Sequence, residues 1–259
     1  MKELKRYLDE RIGEYSFYFE DIDSSYTYSL NERAIMPAAS CIKLPIAIAL
    51  LKEVENNNIS LQEKVLIKCK DKVYGSGILH EFDDKDYSIK ELLIAMLIQS
   101  DSTATNKIID ILGMEKINIY FKEMGLKETF LKRKLRDFTA REKGLENLSS
   151  SFDLAQCLKI LHYGSFLNRE YSNFIINILD KFQRRDKLPF YMPERVWSKI
   201  ANISGSLNGI ENDAALLNLD KGNFVFVVLS KSLPNNVYGI VTLSKLGKMM
   251  WDIIDRNWK

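Results

Sequence analysis

Ser40-Cys41-Ile42-Lys43, running into the apolar stretch Leu44 to Leu51, is the only place in the chain where a serine is followed three residues later by a lysine. The apolar stretch reads as a buried helix, and residues three apart on a helix share a face. The Ser40 hydroxyl and the Lys43 amine therefore meet at the helix's first turn. A serine alcohol becomes a nucleophile only when something takes its proton, and a lysine desolvated in a cleft, its pKa depressed, can do that. The unpaired N–H groups and partial positive charge of a helix N-terminus suit an oxyanion. The spacing alone is a weak signal, because a serine N-cap followed by a solvated lysine gives the same pattern.

On the N-terminal side, Met1 to Leu8 reads as a charged amphipathic helix. Tyr15 to Glu20 and Tyr26 to Leu30 read as a hairpin across the turn-rich Asp21 to Ser25. From Ser40 to about Leu179 the patterns are mostly helical. Ser88 and Glu91 form a capping box opening a helix that runs to Gln99. A helix over Thr103–Leu112 stops at Gly113, with Asp101 or Ser102 as its N-cap. Further helices span about Met114 to Met124 and Ser151 or Phe152 to Leu161. Beyond Pro193, Asn202 to Gly205, Asp213 to Leu219 and Asn223 to Ser230 are strand-like, the last two joined at Asp220-Lys221-Gly222. A final helix covers about Tyr238 to Trp258. Strands at both ends around a helical block predict an α+β fold: one antiparallel sheet built from both termini, flanked by terminal helices, with a helical insertion. We expect a single domain over residues 1–259, with 1–39 and 195–259 in a sheet lobe, 40–194 in a mainly helical lobe, and the chemistry in the cleft between them.

The composition is that of an ordinary globular chain of 259 residues, 46% hydrophobic and 28% charged. A formal net charge of +2 gives no case for nucleic-acid binding, and Lys132-Arg133-Lys134 reads as a solvated loop. No segment approaches the ~18 apolar residues of a membrane span. The N-terminus lacks the apolar core of a signal peptide, so a cytoplasmic protein is expected, or a secreted one if a leader has been removed. Cys41, Cys69 and Cys157 are too few and scattered for a disulfide framework, and Cys41 reads as packing. Neither His80 nor His162 sits at metal-ligand spacing, so no metal or cofactor is expected.

Two further stretches complete the pattern. Ser100-Asp101-Ser102-Thr103-Ala104-Thr105-Asn106 joins two helices of the insertion. Ile203-Ser204-Gly205-Ser206-Leu207-Asn208-Gly209 ends a strand. Each has a plain structural reading, as a capped turn and a hairpin turn. Together with Pro37 to Pro45 and Gly75-Ser76-Gly77-Ile78-Leu79, and in this order, the chain from about Glu14 to Leu229 resembles the class A β-lactamases and related penicillin-recognising serine hydrolases. The resemblance implies the β-lactamase/DD-peptidase fold with a five-stranded sheet. It implies Ser40 as the acylated nucleophile, Lys43 as its proton acceptor or relay, and Ser100 as the hydroxyl that protonates the leaving nitrogen. The backbone N–H groups of Ser40 and Ser206 would form the oxyanion hole, and Ser102, Ser204 and Gly205 would contact substrate.

Three departures accompany the likeness. The family's third motif begins with Lys, where this chain has Ile203; Lys199, four residues away on a strand, lies ~13 Å off. The second motif ordinarily ends in Asn, where this chain has the shorter Ser102. The family's deacylating Glu-x-x-Leu-Asn is incomplete: Glu142 matches its first position but Glu146 stands where Asn belongs, and Asp137 is the runner-up base. The expectation is a monomeric serine hydrolase for a small-molecule or peptide-like amide or ester, with weak β-lactam turnover. The alternatives are a catalytically impaired penicillin-binding or regulatory protein, and an esterase or peptidase for substrates without a carboxylate.

Overall fold

The amphipathic N-terminal segment forms α1 (Lys2–Asp9), burying Leu4, Tyr7 and Leu8 at i, i+3, i+4 spacing. The structure, a computed structural model, describes residues 1–258. β1 (Glu14–Asp21) and β2 (Tyr26–Leu30) make the expected hairpin. A short β3 (Met36–Pro37) leads into a tight 3₁₀ turn, Ala39–Ile42, continuous with α2 (Lys43–Glu55). Ser40 therefore lies in that turn and caps nothing with its side chain, yet its three-residue offset from Lys43 survives. β4 (Lys64–Ile67) pairs with β5 (Lys85–Ser88) around the glycine-rich loop at 75–77.

α3 (Ile89–Ile98) starts at the capping box, Ser88 and Glu91 each accepting the other's backbone N–H. α4 (Ser102–Leu112) is capped by Asp101, which decides between the two candidates. α5 (Met114–Glu123) is followed by a long loop holding the single turn α6 (Phe138–Glu142). β6 (Leu148–Ser149) closes that loop by pairing with β3 beside Ser40. α7 (Ser151–Tyr163) and α8 (Arg169–Leu179) finish the helical block; β7 (Ile200–Leu207), β8 (Ile210–Leu219) and β9 (Gly222–Lys231) return to the sheet, and α9 (Asn236–Asn257) follows.

The sheet is antiparallel throughout in the order β2-β1-β9-β8-β7, so strands from both ends of the chain pair at β1 and β9. Each face covers a core. One face packs Ala214, Leu216, Val225 and Val227 against the helical block, with α2 buried nearly all round. The other packs Phe17, Leu217, Phe224 and Phe226 against α1 and α9. Leu188 and Met192, expected in the helical lobe, join this second core. No helix among the described residues is long and apolar enough to cross a membrane.

β7 is the edge strand facing the helical block, and this creates the cleft. Its pairing with β8 ends at Leu207 and Ile210 around the two-residue turn Asn208-Gly209, where Gly209 adopts φ +70°. The residues flanking such a turn are hydrogen-bonded to each other, and bonded and non-bonded pairs alternate along an antiparallel ladder. Ser206, opposite Glu211, is then a non-bonded position, so its N–H and C=O point off the free edge of the sheet.

Candidate active site

Lys43 is fully buried at the start of α2, and its Nζ is within 3.0 Å of Ser40 Oγ, 2.9 Å of Ser100 Oγ and 2.8 Å of the Ser100 carbonyl. Burial pushes the amine down to about 7, against an upward pull from Asp101 and the neighbouring Cys41, with Arg184 adding to the fall. In its ammonium form the nitrogen donates to all three oxygens. As a neutral amine it keeps two N–H donors for Ser100 and turns its lone pair to the Ser40 hydroxyl.

Ser100 reaches Lys43 because its backbone is left-handed, at φ +56°, a strained setting for a residue with a side chain. Asp101 holds it there. Its carboxylate is fully buried and accepts the N–H groups of Ala104, Ile78 and Leu79, fastening the turn to α4 and to the glycine-rich loop. Gly77 (φ +94°) lies against that carboxylate, and a Cβ there would fall 2.0 Å from Asp101 Oδ2. Ser102, buried in the first turn of α4, donates its N–H to the Ser76 carbonyl and lines the same cavity as Ser40.

On the other side, β7 presses on the Ser40 turn. A Cβ at Gly205 would lie 2.6 Å from the Ser40 backbone nitrogen and 3.1 Å from that of Cys41, so only glycine allows the approach. Gly205 points toward Ser40; its neighbours Ser204 and Ser206 therefore point to the opposite face of the strand. Ser206 Oγ donates to Glu211 there, and the buried Ser204 Oγ has no protein partner among the described residues. The Ser206 N–H points off the free edge of the sheet, next to Gly205, which packs against the Ser40 backbone nitrogen.

The departures take concrete form. Ile203 is fully buried in the core shared with the helical block, and its carbonyl accepts from the Cys41 thiol at 3.6 Å. Cys41 is sealed in, with burial pushing its thiol well up. Lys199 pairs with Asp220 near the other end of β7. Glu142 is exposed and does not line the cavity at Ser40. Asp137 caps α6 by accepting the Ala140 N–H at 2.9 Å. The carboxylate that does line this cavity is Glu146, together with Arg133, Arg136, Arg141 and Asn147. Its Oε1 accepts from Arg133 Nε (3.1 Å), Arg133 Nη2 (2.5 Å) and the Asn147 N–H (2.9 Å), and its Oε2 faces Arg141 Nε at 3.3 Å.

Sequence reasoning passed over this cluster because Glu146 occupies the motif's Asn position and was not weighed as the base. The adjoining Asn147 was the available signal: it is buried and ties the loop together through the backbone of Lys132 and Arg133. Lys187 was missed as well. It lies in a charged run, yet its Nζ is buried against β7 and paired with Glu211. Asp213, opposite Ser204, is pushed up to about 6 by its burial, with Lys187 pulling it back down.

Comparison with known proteins bears on the family and the fold. The model of the β-lactamase enzyme family matches residues 1–254. An imipenem-hydrolysing β-lactamase of Enterobacter cloacae is 30% identical over 173 residues, which is 65% of this chain and 58% of that protein. The β-lactamase SME-1 of Serratia marcescens is 27% identical over 171 residues, 65% of this chain and 57% of its own. The aligned stretches thus span less than two thirds of these relatives' lengths. Among solved structures, PBP-A superposes with a TM-score of 0.90 at 24% identity, covering 98% of this chain and 95% of its own. A β-lactamase from Chitinophaga pinensis gives 0.90 at 22% identity, covering 97% and 98%. At these identities the superpositions establish the fold. With its family model matched over nearly the entire length, the chain belongs to the β-lactamase enzyme family.

Proposed function

We propose that this protein is a serine hydrolase that forms an acyl-enzyme at Ser40. One observation carries the reading: a buried amine, depressed to about 7, lies within hydrogen-bonding distance of both the Ser40 and the Ser100 hydroxyls. Near neutral pH a large share of Lys43 is the free base. It takes the Ser40 proton as Oγ bonds to the substrate carbonyl carbon. The oxyanion then rests on the Ser40 and Ser206 N–H groups, each such donor contributing about 10²–10³ in rate in comparable hydrolases. As the carbonyl re-forms, the bond to the leaving nitrogen or oxygen breaks. Ser100 gives that atom its proton and is resupplied by Lys43.

Release of the acyl group needs water and a base, and here the chain departs from its relatives. Glu146 is the carboxylate nearest to that task, and two guanidiniums occupy it. Turnover of β-lactams is therefore slow, and the acyl-enzyme accumulates. One relative's name specifies imipenem hydrolysis, and a PBP-A structure is described as an acyl-enzyme complex with penicillin G; β-lactam acylation of Ser40 is the corresponding proposal.

A second reading, an esterase or peptidase for substrates lacking a carboxylate, is favoured by Ile203, whose side chain lies in the core where the family has an ammonium. Intact mass after treatment with penicillin G and with a fluorophosphonate separates the readings, with Ser40→Ala as control. A stoichiometric penicillin adduct and slow turnover of a chromogenic cephalosporin are expected. An adduct with fluorophosphonate alone favours the second reading. No adduct with either sinks both and leaves a binding or regulatory protein.

A further inference from the structure

Lys187 is a buried ammonium for which the proposed chemistry has no use. Its side chain and that of Glu211, 2.5 Å away, are 2% and 1% exposed. Its Nζ also donates to the Gly205 carbonyl (3.0 Å), the Asn212 carbonyl (3.1 Å) and Ser206 Oγ (3.1 Å). Glu211 is anchored in turn, accepting from Ser206 Oγ at 2.7 Å and from Asn236 Nδ2 at 2.6 Å.

The Gly205 carbonyl and the Ser206 N–H are two ends of one planar peptide group and point in opposite directions. The carbonyl end turns in toward β8 and meets the ammonium. The N–H end projects off the free edge of the sheet, beside the point where Gly205 packs against the Ser40 turn. A cation bound at the carbonyl fixes the plane of the peptide. It also draws electron density toward the oxygen, strengthening the N–H as a donor at the far end, as in a polarised hydrogen-bond chain. Glu211 balances the charge, so the cost of burying it stays tolerable.

We propose that Lys187 is a positioning residue for the oxyanion hole: its ammonium orients and polarises the Gly205–Ser206 peptide so that the Ser206 N–H is ready for the tetrahedral intermediate. This role rests on the acyl-enzyme reading above. Lys187 acts through the peptide and does not touch substrate.

Removing the lysine alone would strand Glu211 in the interior, so the test uses charge-balanced pairs. Lys187→Met with Glu211→Gln deletes both donor and charge. Lys187→Gln with Glu211→Gln keeps a neutral donor on a side chain one atom shorter, and serves if the first pair fails to fold. For each, the acylation rate with penicillin G is followed by intact mass, and the ester carbonyl band of the trapped acyl-enzyme is read by infrared difference spectroscopy. The first pair should acylate about tenfold to a hundredfold more slowly than the native protein, below the loss expected for deleting a donor outright. The carbonyl band should rise in frequency as polarisation weakens, and the second pair should fall between. Variants that are less heat-stable but keep the native rate and band would show a purely structural lysine and overturn this role alone. A native protein that gives no adduct with penicillin G or a fluorophosphonate would remove the acyl-enzyme reading, and this role with it.

Discussion

At the scale of one residue, Lys43 does two opposed things. Its burial supplies a base near neutral pH, and the same burial destabilises the fold. The amine titrates at about 7 in the folded protein, against 10.5 for an ordinary lysine side chain. Between those values the unfolded chain holds a proton that the folded chain has released, so stability rises with pH across that window. Below about 7 the full cost is present. Two results follow. The acylation rate of Ser40 should climb with pH through a midpoint near 7, read by stopped-flow with a chromogenic cephalosporin. A pH-independent rate from about pH 5 to 9 would remove Lys43 as the proton acceptor. In denaturant titrations, Lys43→Met should compare most favourably with the native protein at about pH 6, and the difference should shrink toward about pH 10 by up to roughly 4 kcal/mol. A constant difference would mean that the amine is not depressed.

At the scale of elements, the site is a junction of the Ser40 turn, the 99–102 turn, β7 and the 131–147 loop. Gly205→Ala drives a methyl group into the Ser40 and Cys41 backbone nitrogens. No flexible side chain is there to yield, so the strand must retreat. Displacements of ~1 Å at a reacting centre cost about a hundredfold, and that loss is expected in the acylation rate, with the circular dichroism spectrum retained. The loop allows a test in the opposite direction. Arg141 is partly exposed and holds Glu146 Oε2, whereas Arg133 and Asn147 keep Oε1 in place. Arg141→Ala leaves that oxygen free to accept a proton from water. Deacylation of the penicillin adduct should then quicken about tenfold, a modest fraction of what a positioned base contributes. An unchanged rate would show that Glu146 takes no part.

At the scale of the whole molecule, the sheet joins residues 14–30 to 200–231 and is covered on both faces, so its stability depends on contacts between distant parts of the chain. The segment from Gln183 to Leu188 crosses the junction. Gln183 donates to the Ile98 carbonyl beside the Ser100 turn, Arg185 to the Ile200 carbonyl at the start of β7, and the Leu188 N–H to Asp213. α9 lies on this segment at Gly247, where a Cβ would come within 1.9 Å of the Leu188 carbonyl. Gly247→Ala must push the helix away. A loss of about 1–3 kcal/mol, as for other overpacked interiors, should appear as a lowered Tm and, through Lys187, a slower acylation. A native Tm would mean that α9 shifts freely.

Local pattern carried a good deal of this by itself. The hairpin at Tyr15 to Leu30, the capping box at Ser88 and the three-residue step from Ser40 to Lys43 depend on neighbours in the chain, and each was legible. So was a sheet drawn from both termini, since alternation marks strands wherever they lie. Lys187 and Glu146 were not legible. In sequence Lys187 is one of several charges in Arg184-Arg185-Asp186-Lys187, and Glu146 stands where the resemblance expects Asn. Whether a charged side chain is solvated or sealed depends on which distant backbone covers it. For Lys187 that cover is the β7–β8 ladder; for Glu146 it is two arginines and the Ser40 cavity. Residue spacing determined which groups could meet along one helix, and only tertiary packing decided which charges lost their water.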